Sequence, residues 1–125
     1  MTAKISTVSK DGTCHVVPIW FVLDGEDIIF TTWYQSVKAK HIMRDSRVSI
    51  CVDDQKPLYS FVTLYCNATI TQDKSDELLK WSTMIVERYT GKENAEGYGK
   101  RNAAKGELLI RVKLTKIIAR KDIAE

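Results

Sequence analysis

Two Asp-Gly pairs sit between runs of apolar and β-branched residues, and they restrict this chain more than any other feature. Asp11-Gly12 follows the short run Lys4 to Ser9 and precedes a long apolar run, His15 to Leu23. Asp24-Gly25 then precedes Ile28-Ile29-Phe30-Thr31-Thr32. Glycine accepts the positive φ that a tight hairpin turn requires, so the pattern predicts strands joined by hairpins. On this reading the first thirty residues form a three-stranded meander. His15 to Leu23 is apolar on both faces, which predicts a central strand covered on both sides. Pro18 interrupts it and implies an edge, a bulge or a departure from pairing, because proline cannot donate to a ladder.

The rest of the chain continues in the same style. Ser36 to Arg44 reads as a short helix with Ser36 as its N-cap. Arg47 to Val52 alternates, with Val48, Ile50 and Val52 on one face. Asp53 to Pro57 reads as a turn. Tyr59 to Ile70 reads as a long strand with Val62, Leu64, Cys66, Ala68 and Ile70 inward. Its other face, Phe61, Thr63, Tyr65, Asn67 and Thr69, is amphipathic and suits a subunit interface. A second helix is predicted from Asp73 to about Tyr89, with Leu78, Trp81, Ile85 and Tyr89 on one face and Gly91 ending it. Lys92 to Lys105 is polar and reads as a loop. Glu107 to Ala119 reads as a last strand with Leu108, Ile110, Val112 and Leu114 inward.

The predicted order is β-β-β-α-β-β-α-β in one domain over residues 1–125. Six strands joined largely by hairpins fit a small antiparallel barrel, because closure removes exposed edges.

Composition narrows the function. With 19 basic and 16 acidic residues the net charge is only +3. The basic residues show one local cluster, Lys38, Lys40, His41, Arg44 and Arg47, which reads either as a solvated helix face or as a site for a small anion. A nucleic-acid-binding barrel would use that charge with Tyr59, Phe61 and Tyr65 as stacking groups, and it stands as a rival reading. Cys14, Cys51 and Cys66 are odd in number and widely spaced. They read as buried small hydrophobes in a reducing compartment, and with no apolar leader a cytoplasmic location is expected. Cys14-His15 does not suggest a metal site, because adjacent strand residues point to opposite faces. No zinc spacing, phosphate loop, dinucleotide glycine pattern or GxSxG turn occurs. Glu87-Arg88 reads as a surface charge pair.

The segment Phe30 to Lys40 carries the chemistry. A strand ending in Thr31-Thr32 leads through a short turn to Ser36 and a helix bearing Lys38 and Lys40. The first turn of a helix presents free N–H groups and partial positive charge, to which phosphate binds. Val17-Pro18-Ile19-Trp20 lies upstream. It offers either an apolar wall with backbone donors and acceptors for a flat ring system, or simple core packing for Trp20.

Three segments in this order resemble the pyridoxamine 5′-phosphate oxidase-like split β-barrel family: Asp11-Gly12-x-x-His15-Val16-Val17-Pro18-Ile19-Trp20-Phe21, Ile28-Ile29-Phe30-Thr31-Thr32, and Ser36-Val37-Lys38-Ala39-Lys40-His41-Ile42-Met43-Arg44-Asp45. They are most similar to its small flavin- and deazaflavin-dependent oxidoreductases, and Arg88-Tyr89-Thr90-Gly91 also matches that branch. The resemblance implies a six-stranded antiparallel split β-barrel of the FMN-binding type, and a homodimer with the cofactor at the subunit interface. It implies FMN, with F420 as the alternative, and an oxidoreductase acting on a small organic substrate. A flavin carrier without turnover is the alternative function. Lys38 would meet the cofactor phosphate with Lys40 assisting. Val17, Pro18, Ile19, Trp20, Thr31 and Thr32 would line the ring and ribityl chain, Ser36 would add a hydroxyl, and Tyr59 would approach the ring. No residue is singled out as an acid or base.

Three departures from the family pattern bear on activity. Val37 stands where true pyridoxamine phosphate oxidases have the first of a basic pair. The sequence reaches Glu125 without their substrate-gripping C-terminal segment. Met1 falls almost at the first strand, where the family commonly has a helix. Pyridoxamine phosphate oxidase activity itself is therefore not expected.

Overall fold

The computed structural model describes residues 3–54, 60–71, 75–93 and 106–120. Its elements are β1 (Ala3–Val8), β2 (Cys14–Ile19), β3 (Val22–Asp24), β4 (Asp27–Trp33), α1 (Val37–Arg44), β5 (Arg47–Asp54), β6 (Ser60–Thr71), α2 (Ser75–Thr90) and β7 (Glu107–Arg120). The strands form one antiparallel sheet in the order β2-β1-β5-β6-β7-β4-β3.

The described residues form seven strands rather than six, because the run from His15 to Leu23 breaks at Trp20-Phe21. It is not one strand pairing on both sides, as a meander would have it. β2 pairs with β1 at one margin of the sheet, and β3 pairs with β4 at the other. The run is therefore two edge strands and not a central one. Val16, on the outward face of β2, is 60% exposed. An edge also accommodates Pro18, whose missing N–H is tolerated where one side of the strand has no ladder partner.

A flat seven-stranded sheet would span about 28 Å between its outer strands, at the usual strand spacing. Yet Ala3, Ile5 and Ile19 from one margin share a single buried cluster with Ile28 and Phe30 from near the other, and with Val48, Ile50, Cys66, Ala68, Leu108, Ile110 and Val112. The sheet is thus curled into a barrel around that cluster, and Trp20-Phe21 carries the chain from one margin to the other. Ala39 and Ile42 of α1 join the same core.

The amphipathic face read for the second helix is the one that packs. Trp81 and Ile85, with Leu78 and Tyr89 beside them, cover Val22, Ile29 and Leu109 on the outside of the barrel. The predicted start at Asp73 lies outside the described residues. At the other end Gly91 takes φ 92 and its N–H donates to the Glu87 carbonyl, closing the helix.

Both Asp-Gly pairs make the hairpins expected, with Gly12 at φ 90 and Gly25 at φ 61. Arg111 of β7 bridges Asp24 and Asp27 across the second turn at 2.8 and 3.0 Å. Two core assignments change. Leu114 is exposed, because the β6–β7 register shifts between Tyr65 and Cys66 and leaves Thr115 as an extra residue near the end of the barrel. Of the three free cysteines only Cys66 is buried, which pushes its thiol up to about 11; Cys14 is exposed and Cys51 intermediate. Cys14 lies on the outward face of an edge strand. No helix among the described residues is long and apolar enough to cross a membrane.

Candidate ligand site at the start of the first helix

A cavity of about 340 Å³ opens where β2, β4, α1, α2 and β7 meet. It is lined by Pro18, Ile19, Trp20, Thr31, Thr32, Trp33, Ser36, Lys38, Ile85 and Glu107.

The polar side is built by a cap. Ser36 has extended backbone (φ −64, ψ 155), and its Oγ accepts the Ala39 N–H at 3.1 Å. The same Oγ shares a 2.8 Å hydrogen bond with Thr32 Oγ1, and the Ser36 N–H donates to the Trp33 carbonyl at 2.9 Å. These bonds lock the β4–α1 corner. They leave the N–H groups of Val37 and Lys38 without an intrahelical acceptor. Lys38 is partly buried at this corner, and burial lowers its pKa while Glu107 works in the opposite direction.

The apolar side depends on the Trp20-Phe21 link. The Trp20 indole stacks on Tyr89 of α2 with ring centroids 4.9 Å apart and planes 6° from parallel. The Phe21 N–H donates to the Tyr89 hydroxyl at 3.3 Å. Arg88 donates to the Phe21 carbonyl at 3.0 Å and lies 4.4 Å from the Phe21 ring centroid. Arg88 is therefore a clamp on the link rather than half of a surface pair with Glu87. Aromatic stacking and a cation over a ring each add to this hold.

The structure brings Pro18, Ile19, Trp20, Thr31, Thr32, Ser36 and Lys38 to one cavity. It places two of the other expected residues elsewhere. Val17 faces the barrel core, as strand alternation next to Pro18 requires. Lys40 is exposed and does not line the cavity, because residues two apart on a helix lie on different faces. Tyr59 lies outside the described residues. Three lining residues were not anticipated: Trp33, Ile85 and Glu107. Trp33 could have been read from its place directly after Thr31-Thr32. Ile85 was assigned to the packing face of α2, which also reaches the cavity. Glu107 carried no local signal.

His41 and His15 meet at the far end of α1, 5.8 Å between ring centroids, with Thr7 Oγ1 2.9 Å from His41 Nδ1. Among the described residues no three His, Cys, Asp or Glu side chains are grouped to hold a metal ion.

A family model described as pyridoxamine 5′-phosphate oxidase matches residues 2–121. The chain belongs to that family. Solved structures agree with it on the fold. A conserved hypothetical protein of Mycobacterium tuberculosis is 22% identical, with a TM-score of 0.84 over 97% of this chain and 77% of the other. An F420 reductase is 22% identical, with a TM-score of 0.72 over 94% of this chain and 89% of the other. HutZ, the haem storage protein of Vibrio cholerae, is 17% identical, with a TM-score of 0.76 over 96% and 85%. No curated protein sequence matches the chain. The seven strands and two helices are thus the split barrel of the pyridoxamine 5′-phosphate oxidase family.

Proposed function

We propose that the cavity holds a phosphorylated flavin-type cofactor, FMN or alternatively F420, and that the protein is an oxidoreductase acting on a small organic substrate. One observation carries the reading: a single cavity combines an apolar wall (Pro18, Ile19, Trp20, Ile85) with Lys38 and the hydroxyls of Ser36, Thr31 and Thr32. A ring system needs the first set and a phosphate needs the second. Family membership supports a flavin, and the fold shared with an F420 reductase supports the alternative.

The donor set fits such a group. Lys38 and the free N–H groups at the start of α1 would hold the phosphate. Ser36 and Thr32, already bonded to each other, would present hydroxyls without further ordering. Trp20, held by Tyr89, would wall the ring. When bound, the cofactor supplies hydride transfer. The protein binds, orients and screens it from water, and protons come from solvent.

The cavity's size favours a homodimer. About 340 Å³ lies at the low end of the ~300–1,000 Å³ usual for ligand pockets, so one protomer would enclose only part of the cofactor. Among the described residues the outer face of β1, β2, β5 and β6 has neither of the two helices packed on it, and it exposes Val16 and Tyr65. A second copy on that face would complete the site.

The test is an absorbance spectrum of the purified protein, alone and after addition of FMN or F420, followed by size-exclusion chromatography with light scattering. A flavin-type band that co-elutes with a dimer and weakens in Lys38→Ala is expected. A colourless protein that retains neither cofactor would refute the reading. A bound cofactor with no turnover across a substrate panel would make the protein a carrier.

A further inference from the structure

Lys38 shares its cavity with an acid. Glu107 opens β7 and lies opposite Trp33 in the β4–β7 ladder. Its backbone is held firmly in place. Gly106 takes φ 100, its carbonyl accepts the Tyr34 N–H at 2.8 Å, and a Cβ at this position would overlap the Trp33 ring. The backbone that carries this carboxylate to the cavity is thus fixed by the same β4 corner that presents Ser36.

Among the described residues, Lys38 and Glu107 are the two charged ones lining the cavity. Each feels the other's charge, yet no direct ion pair joins them. Burial raises the Glu107 carboxyl and Lys38 opposes that shift. The other described elements around the cavity contribute Thr31, Thr32 and Trp33 from β4, Ile85 from α2, and Pro18, Ile19 and Trp20 from β2 and the link, none of them charged. Arg111, further along β7, is engaged by Asp24 and Asp27. Nothing in a site built only to attract a phosphate calls for this acid, since a carboxylate repels a phosphate.

We propose that Glu107 is the charge-selecting residue of the ligand site: its carboxylate is the resident counter-charge of Lys38, with which the anionic group of an incoming ligand must compete. This rests on the reading of the cavity as an anion-binding ligand site. It follows that ligand binding is weaker while Glu107 is ionised, and that a bound dianion favours proton uptake by the carboxyl. Glu107 protonates as pH falls, so the handicap shrinks toward acid and is fully present above the carboxyl's folded-state pKa. The second ionisation of the phosphate affects wild type and a Glu107 variant alike. Glu107 also works to hold the Lys38 pKa up, so at the alkaline end the variant loses the Lys38 proton first; below that range their affinity ratio isolates Glu107.

The experiment titrates the full-length protein, wild type, Glu107→Gln and Lys38→Ala, between about pH 5 and 9. Two probes are used: FMN, followed by flavin fluorescence, and inorganic phosphate, followed by thermal shift. Glu107→Gln is expected to bind both probes about tenfold more tightly at pH 8, with the ratio narrowing as pH falls. Combining it with Lys38→Ala should remove most of the gain. Equal affinities for wild type and Glu107→Gln at every pH, weaker binding by Glu107→Gln, or no phosphate response in either protein would overturn the proposal. The two readings fail separately. FMN bound equally by both proteins leaves the cofactor reading and removes this one. A phosphate response that follows the expected pattern without any FMN or F420 binding does the reverse. Glu107→Asp, which keeps the charge, should behave as wild type and guards against a loss of fold in Glu107→Gln.

Discussion

The two helices border one cavity and reach it by opposite routes. α1 is eight residues long and brings polarity: a capping hydroxyl, two unpaired N–H groups and Lys38. Its first turn is set by neighbours in the chain, since Thr32, Trp33 and Ser36 bond to one another across a few residues. α2 is sixteen residues long and brings apolar surface: Ile85 in the wall, and Tyr89 behind Trp20. Its place is set by distant partners, because Trp81 and Ile85 pack on Val22, Ile29 and Leu109. The anion-attracting part of the site is a local property of one corner. Its shape is a property of the whole fold.

That contrast can be broken at α2 first. Trp81→Ala should lower stability by about 3–5 kcal/mol in urea unfolding, and cofactor retention should fail with it because the Ile85 and Trp20 walls lose their support. A loss under about 1 kcal/mol would mean that α2 does not hold the cavity together. Lys38→Ala should do the reverse. It should weaken FMN binding by about ten- to a hundredfold while stability stays within about 0.5 kcal/mol of wild type. Tyr89→Leu removes the stack and the hydroxyl acceptor together. We expect a loss of about 1–2 kcal/mol and a shift in tryptophan emission as Trp20 is released; an unchanged spectrum would count against the clamp. Ser36→Ala should cost about 1 kcal/mol through the lost cap, with a modest fall in affinity as the Thr32 hydroxyl loses its partner.

The same division explains what could be read beforehand. Thr31, Thr32, Ser36 and Lys38 lie within one short stretch, and a strand, a turn and a capped helix bring such a stretch together without help from elsewhere. The packing face of α2 was legible because helical spacing alone defines it. Glu107 was not legible, since only strand pairing with β4 carries it to Lys38. The Arg88–Phe21 contact was equally hidden, joining residues 67 positions apart. The long apolar run misled for a physical reason. A strand buried on both faces and two edge strands meeting at the closure of a barrel have the same apolar composition, and Trp20-Phe21 carries no Gly or Asn to mark the break. Lys40 misled because a second lysine two residues on looks adjacent in sequence and is not adjacent on a helix.

One consequence of the sheet order concerns synthesis. β7 lies between β6 and β4, so the last of the described strands is an interior member of the sheet. Until it emerges from the ribosome, β2-β1-β5-β6 and β4-β3 are two separate sheets, each with an open edge awaiting β7. Ile28 pairs with Val112, and such distant pairing is slow because a long loop must close before any contact rewards it. The nascent chain must therefore carry two unsatisfied edges until β7 is made, the condition in which β proteins are most prone to pair with the wrong neighbour.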